Sequence, residues 1–424
     1  MNESFLWYLW RYRLYHHDLL TTEGEPVTVE YPGQQNDDSG PDFSHAKVRI
    51  GNTLWAGNVE VHVRSGDWIK HGHQYDKAFD NVIMHVVFEN DVDIHRASGQ
   101  RIPVVELKGK FDENRWESYR RLMKSSRPIP CSASVGAIDK ILILQWLDRT
   151  LISRLERKTK YVNQLMNLYR GSHEETFYQM LAANFGFKVN ALPFELLARS
   201  LEYKVILRHS GLLQTEALLF GQAGLLEEEF KDEYPERLQK EYIYLRKKLS
   251  LQPVEARLWK FSRMHPKNFP TLRISQFANL IHSKPYLLSS ILNAADFNTV
   301  KNLLSTNASS YWDTHYTFEN SSPFSEKKLG ASAIENLIIN TLVPFQFAYG
   351  KLKGDQHLCD RAVHWLENCG PENNTIIRNW EQLGIEVESA YYSQSLIELK
   401  NEYCQKKNCL NCGIGLKLLQ ENKK

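Results

Sequence analysis

The segment Ser39–Glu60, SGPDFSHAKVRIGNTLWAGNVE, running directly into Val61 and His62, decides how this chain is read. Val48, Ile50, Leu54, Val59, Val61 and Val63 alternate with the period of two that marks strands with one buried face. Pro41-Asp42 falls at the mouth of one predicted strand and Glu60-Val61-His62 on the next. Carboxylates on adjacent strands of a hairpin can converge on one divalent cation, and oxygen donors suit magnesium or manganese. A metal held this way activates water and neutralises charge on a phosphodiester. Residues two apart share a strand face, so His62 lies beside Glu60, available as an imidazolium, a ligand or a base. The same residues also fit a turn capped by Asp42 and a solvated polar strand face.

The flanking sequence predicts an α-β-β-β-α-β order over residues 1–108. An opening helix from about Glu3 to Leu19 carries Phe5, Leu6, Leu9, Trp10 and Leu14 on one face. EPVTVEYPG reads as a strand, the polar loop QQNDDSG leads into Pro41-Asp42, and the two motif strands follow. HGHQYDKAFD is a short helical or irregular connection, NVIMHVVFEND a fully buried strand, and RIPVVELKG the last one. His85, inside VIMHVV, is expected as a hydrogen-bonded core histidine. From Phe111 onward the helical period dominates, with Ile141, Leu144, Leu147, Leu151 and Leu155 along one stripe. The expected architecture is α/β plus α: a mixed-sheet core over 1–108, a helical domain over 109–355, and a helical tail over 356–424 that ends in cysteines.

Two further clusters carry chemistry. SGDWIKHGHQYD supplies Asp67, His71, His73 and Asp76 just after the Glu60 strand. Histidines this close suit zinc or manganese, and His71, His73 and Asp76 could form a zinc hydrolase site completed by Glu60 or His62. Solvated side chains of a surface loop are the other reading. Cys404-x4-Cys409-x2-Cys412 could hold one soft metal, as zinc or as an iron–sulfur cluster. A fourth ligand is then needed, with Cys131, Cys359, Cys369 and His364 as candidates; three reduced thiols near a helix end are the alternative. Arg154, Arg157, Lys158 and Lys160, and later Arg246, Lys247 and Lys248, read either as a phosphate track or as solvated helix faces.

Composition sets the outer bounds. The 424 residues are 42% hydrophobic and 24% charged with a net charge of +2, so there is no global polyelectrolyte signature and DNA binding would need a local basic surface. No apolar run approaches the roughly 20 residues of a membrane span. MNESFLWYLWRYRLYHH reads as a helix of the fold rather than a signal peptide, and sparse cysteines fit a reducing cytoplasm.

FLWYLWRYRL, SGPDF, GNVEVHVRSGDWIKHGHQYD, NVIMHVVFEND, IPVVELKG, the IPC around Cys131 and SQSLIELKNEYCQKKNCLNCGIG resemble an uncharacterised bacterial family, the domain of unknown function DUF2851. These blocks span nearly the whole chain and bring no established activity. The first 108 residues also resemble PD-(D/E)xK nucleases, the restriction-endonuclease-like group. That resemblance implies magnesium- or manganese-dependent phosphodiester hydrolysis on DNA. Asp42, Glu60 and the backbone carbonyl of Val61 would be ligands, His62 would stand where the pattern has lysine, and His73 would assist. Some nucleases of that group carry an iron–sulfur cluster on three C-terminal cysteines and one before the nuclease core; here Cys131 follows the core. The expectation is a metal-dependent nuclease. A non-catalytic nucleic-acid-binding or scaffold protein retaining the fold is the first alternative, and a zinc hydrolase the second.

Overall fold

The opening helix stops earlier than its apolar stripe suggests. In the computed structural model, which describes residues 1–36, 38–209 and 211–420, α1 spans Glu3–Arg11, and the Asn2 side chain accepts from the Phe5 amide at 3.1 Å as its N-cap. Arg13 adopts a positive φ of 52°, and the Leu14 amide turns back to the Leu9 carbonyl, closing the helix before Leu19. The Trp10 indole then fastens α1 to the Pro32 carbonyl at 2.9 Å.

The predicted strands follow in order, and the segment read as a polar loop adds a short one: β1 (Val27–Tyr31), the added β2 (Gln34–Gln35), β3 (Phe43–Ile50), β4 (Thr53–Arg64), β5 (Val82–Glu89) and β6 (Val104–Glu106). They form one mixed sheet of order β1-β3-β4-β5-β6, with β2 also pairing β3. The β1–β3, β2–β3 and β3–β4 pairings are antiparallel, while β4–β5 and β5–β6 are parallel. A parallel step requires a crossover. Between β4 and β5 it consists of the one-turn α2 (Asp67–Lys70) and two 3-10 turns, His73–Tyr75 and Lys77–Phe79. Gly57 marks where the chains come closest: a β-carbon there would lie 2.4 Å from Ile83 and 2.7 Å from the Asn81 carbonyl. Val48, Ile50, Val59 and Val61 are buried as their alternation requires, but Leu54, near the hairpin tip, is exposed.

Two compact units divide the chain, 1–146 together with 399–424, and 147–398. This differs from the boundaries that helical periodicity suggested at 108 and 355. α3 (Glu113–Lys124) stays with the sheet, and the predicted tail is shared between units, its last four residues lying outside those described. Specific contacts hold the C-terminal piece in the first unit: Arg115 donates to the Leu419 carbonyl at 2.9 Å, and the Trp146 and Tyr403 rings meet edge-on at 5.5 Å.

The second unit is mostly helical, with a small antiparallel pairing of His315–Thr317 and Asn320–Ser321. Of the predicted stripe on α4 (Lys140–Leu168), Leu147, Leu151 and Leu155 are buried, whereas Ile141 and Leu144 are exposed. Arg154 and Arg157, read from sequence as a possible phosphate track, grip the buried Glu398 instead. No helix among the described residues is long and apolar enough to cross a membrane.

Candidate metal centre

Parallel pairing places Glu60 beside His85 across β4 and β5, so Glu60, His62 and His85 project from one face of the sheet. All three are buried, with His85 fully so. β5 is an apolar run covered on both sides, a setting in which polar side chains persist only if something satisfies them.

The crossover delivers two more histidines to that face. Trp68, buried in α2, packs edge-on against His73 and lies 5.6 Å from the His85 ring. His71 ends α2, and Gly72 at φ +77° reverses the chain so that His73 returns toward the sheet. Space around a Gly72 β-carbon is open, so the positive φ alone demands glycine. Phe79 then stacks on His73 at 3.8 Å and fixes its ring. Asp76 caps the next turn through the Ala78 amide at 2.9 Å. The third imidazole beside His71 and His73 is therefore His62, while Asp76 is engaged in the local turn.

The donor atoms of His62, His71 and His73 all lie within 4.8 Å of one another, the one such set among the described residues. His62 Nε2 is 3.2 Å from His71 Nδ1 and 3.5 Å from Glu60 Oε1, and His73 Nε2 is 3.4 Å from the same oxygen. Tetrahedral coordination with bonds near 2.0–2.1 Å separates its ligands by about 3.4 Å. His73 Nε2 is buried and has no hydrogen-bond partner. Behind this set, His62 Nδ1 meets His85 Nε2 at 2.9 Å. A proton on His62 Nδ1, donated to His85, leaves Nε2 free to ligate, the usual outer-shell arrangement of a metal-binding histidine.

Asp42 sits at the edge of this group. Its Oδ2 accepts from the Val61 amide at 2.9 Å and the Trp7 indole at 3.1 Å, while its own amide donates to Glu60 Oε2 at 3.1 Å. A register shift between Phe43 and Ala46, with His45 at φ +58°, bends β3 and ends its pairing before Val61. The Val61 N–H is thereby released to the Asp42 side chain.

Burial raises both carboxyl groups above their ordinary range. Glu60 is raised further because the Asp42 and Glu3 charges also bear on it. Burial depresses the imidazoles, His62 to about 3, with His73 and His85 also lowered and each disfavoured by its neighbouring rings. Neutral His62 cannot supply the positive charge of a lysine, but it can offer a lone pair.

Two participants were missed in the sequence, and the expected hydrogen-bonded core histidine takes on a further role. Glu3, whose carboxyl is raised by burial and feels His71, faces the site from the first turn of α1. Trp7, one helical turn later on the same face, holds Asp42; the i, i+4 spacing of Glu3 and Trp7 was the available signal. His85 proves to be partnered by another histidine. Elsewhere in the first unit, Cys404, Cys409 and Cys412 are buried and free, together with Cys131. The other candidate fourth ligands, Cys359, Cys369 and His364, belong to the second unit.

Fold and site define an α/β protein with a buried imidazole–carboxylate centre in its mixed sheet, followed by a helical region. The chain belongs to the family described as "Protein of unknown function (DUF2851)", which matches residues 3–375. No curated protein and no solved structure matches it.

Proposed function

We propose that this protein is a metal-dependent phosphodiesterase acting on DNA through a restriction-endonuclease-like core, with one divalent ion held by His62, His71, His73 and Glu60. The convergence of three imidazoles within 4.8 Å of one another, with Glu60 Oε1 3.5 Å from His62 and 3.4 Å from His73, carries the reading. Three imidazoles to one carboxylate shift metal preference from magnesium toward manganese or zinc. Bound there, the ion supplies Lewis-acid activation of water and neutralises charge on the phosphodiester.

The chain's own groups divide the remaining work. His85 orients His62, and Phe79 and Trp68 hold His73 in place. Asp42, fixed by Trp7 and the Val61 amide and raised toward neutrality by burial, is placed to accept a proton from water. A nucleic-acid substrate is supported by two features of the same unit. One is the antiparallel hairpin followed by parallel strands; the other is a cavity of about 580 Å3 lined by Arg120, Arg121, Lys124 and Arg127.

A second reading has its own observation. The N–H and C=O of a strand residue leave on the same edge, so the Val61 carbonyl faces the Asp42 side. Asp42, Glu60 and that carbonyl would offer magnesium an all-oxygen shell.

Metal analysis, with cleavage of single-stranded and duplex DNA in manganese, zinc or magnesium, separates these readings. The histidine-bound centre requires His71→Ala and His73→Ala to lose metal and cleavage together. Magnesium-dependent cleavage that survives both variants but not Asp42→Asn selects the all-oxygen site. Stoichiometric metal without cleavage by the wild type rejects the enzymatic reading and leaves a metal-bearing binding protein.

A further inference from the structure

Cys131 meets three cysteines of the C-terminal segment in the first unit, independently of the centre described above. Cys404 ends the turn Leu399–Cys404, Cys409 begins the 3-10 turn Cys409–Asn411, and Cys412 precedes the helix Gly413–Gln420. Cys131 comes from the turn after α3, where its carbonyl accepts from the Ser134 and Val135 amides. All four are buried, and none is in a disulfide. Every pairing among them is close enough for one sulfur to act electrostatically on another, so they form a single cluster.

The surrounding backbone is built around sulfur. A β-carbon on Gly415 would lie 2.2 Å from the Cys409 carbonyl, and one on Gly413 would lie 2.6 Å from the Trp146 ring. Only glycine allows the chain to close this tightly over Cys409 and Cys412. The closure brings the Ile414 and Gly415 backbone amides close to the Cys412 sulfur. Amide N–H groups beside a sulfur suit a thiolate; a neutral thiol is a weak acceptor that does not need them. Four buried thiols gathered without a disulfide are the donor set that a soft cation takes.

Their spacing bears on which cation. One tetrahedral zinc would hold its sulfurs about 3.8 Å apart. Among the described residues, no three of these sulfurs all close to within 4.8 Å, as the three imidazoles do. A polynuclear centre, with each thiolate on a different iron, spreads its ligands wider. Cys131 also lines the cavity that carries Arg120, Arg121, Lys124 and Arg127, cations suited to the net negative charge of a four-thiolate centre.

We infer that Cys131, Cys404, Cys409 and Cys412 ligate an iron–sulfur cluster that clamps the C-terminal segment onto the turn after α3. Full-length protein, purified without oxygen and reconstituted with ferric iron, sulfide and dithiothreitol, should contain iron and acid-labile sulfide in equal amounts. It should also show visible absorption that dithionite bleaches. Cys131→Ser should lose both, while Cys369→Ser, in the second unit, keeps them. Zinc retained in place of iron, or no iron after reconstitution, overturns the cluster. Wild-type iron content and reduced-state EPR spectrum in Cys131→Ser overturn the fourth ligand. Should Cys131→Ser fail to fold, iodoacetamide labelling of the native wild type decides the matter. The four thiols should be protected until iron is chelated, and equal labelling before and after chelation rejects the proposal.

Discussion

Glu60 in the first unit and Glu398 in the second are buried to a similar degree, but their surroundings are opposite. Glu398 faces two guanidinium groups: Arg157 grips both its oxygens at 3.0 and 2.6 Å, and Arg154 approaches to 3.4 Å. Glu60 faces another carboxyl group, the Glu3 charge and neutral imidazoles. The first arrangement is a closed ion pair whose charges answer one another. The second is a set of donors that no lysine or arginine among the described residues is seen to touch. Burial alone does not distinguish a structural acid from a functional one; the sign of the neighbouring charge does.

The largest expected effect would come from breaking the closed pair. Glu398→Ala leaves Arg154 desolvated without its counter-ion and should destabilise the protein by about 3 kcal/mol in urea unfolding. A loss under about 1 kcal/mol would remove the contrast with Glu60. In the metal-free protein Glu60→Gln should leave Tm unchanged or higher, because it relieves a buried carboxyl crowded by like charges. The same variant should weaken manganese or zinc affinity by on the order of 100-fold, read by calorimetric titration. A fall in Tm resembling that of Glu398→Ala would make Glu60 a structural acid too.

His85→Phe sharpens the comparison at the next level. It keeps the ring volume in β5 but removes the partner of His62 Nδ1, and should cost roughly tenfold in metal affinity with the fold retained. Unchanged affinity would mean that packing alone sets the His62 orientation. The smallest effect concerns Glu216, a buried acid of the second unit that accepts from Ser275 Oγ at 2.6 Å and is raised by burial. Its folded pKa lies above the ordinary 4.5, so the stability it contributes as a protonated group is present below that pH and declines as pH rises through the folded value. Glu216→Gln removes this loss, so its Tm advantage should grow with pH above 4.5 and vanish in acid. A constant offset across pH would show that Glu216 does not titrate in the fold.

Much of the sheet could be read from local pattern. The alternation through Val48, Ile50, Val59 and Val61 announces two strands, and the same period puts Glu60 and His62 on one face. Asp42 and Glu60 meet because a hairpin brings the start of one strand to the end of the next. The approach of His71 and His73 to His62 could not be read this way. It depends on the backbone reversal at Gly72, on Trp68 anchoring a single helical turn, and on Phe79 holding His73. A loop with several histidines is equally compatible with solvated side chains until that geometry is known. Glu3 escaped notice because a first-turn glutamate is favoured at any helix N-terminus, and only packing against the sheet gives it a second role.

Taken by itself, the sequence determined the order of elements, the buried strand face, and which residues have the chemistry to hold a metal, because side-chain type and short-range period are local properties. Tertiary structure alone decided that Asp76 caps a turn while His62 joins His71 and His73, that Arg154 and Arg157 serve Glu398, and that Cys131 is the cysteine gathered with Cys404, Cys409 and Cys412. Each of these pairs groups distant along the chain or separated by a turn of unspecified geometry. Such meetings follow from how packed elements exclude water and one another, which no local pattern encodes.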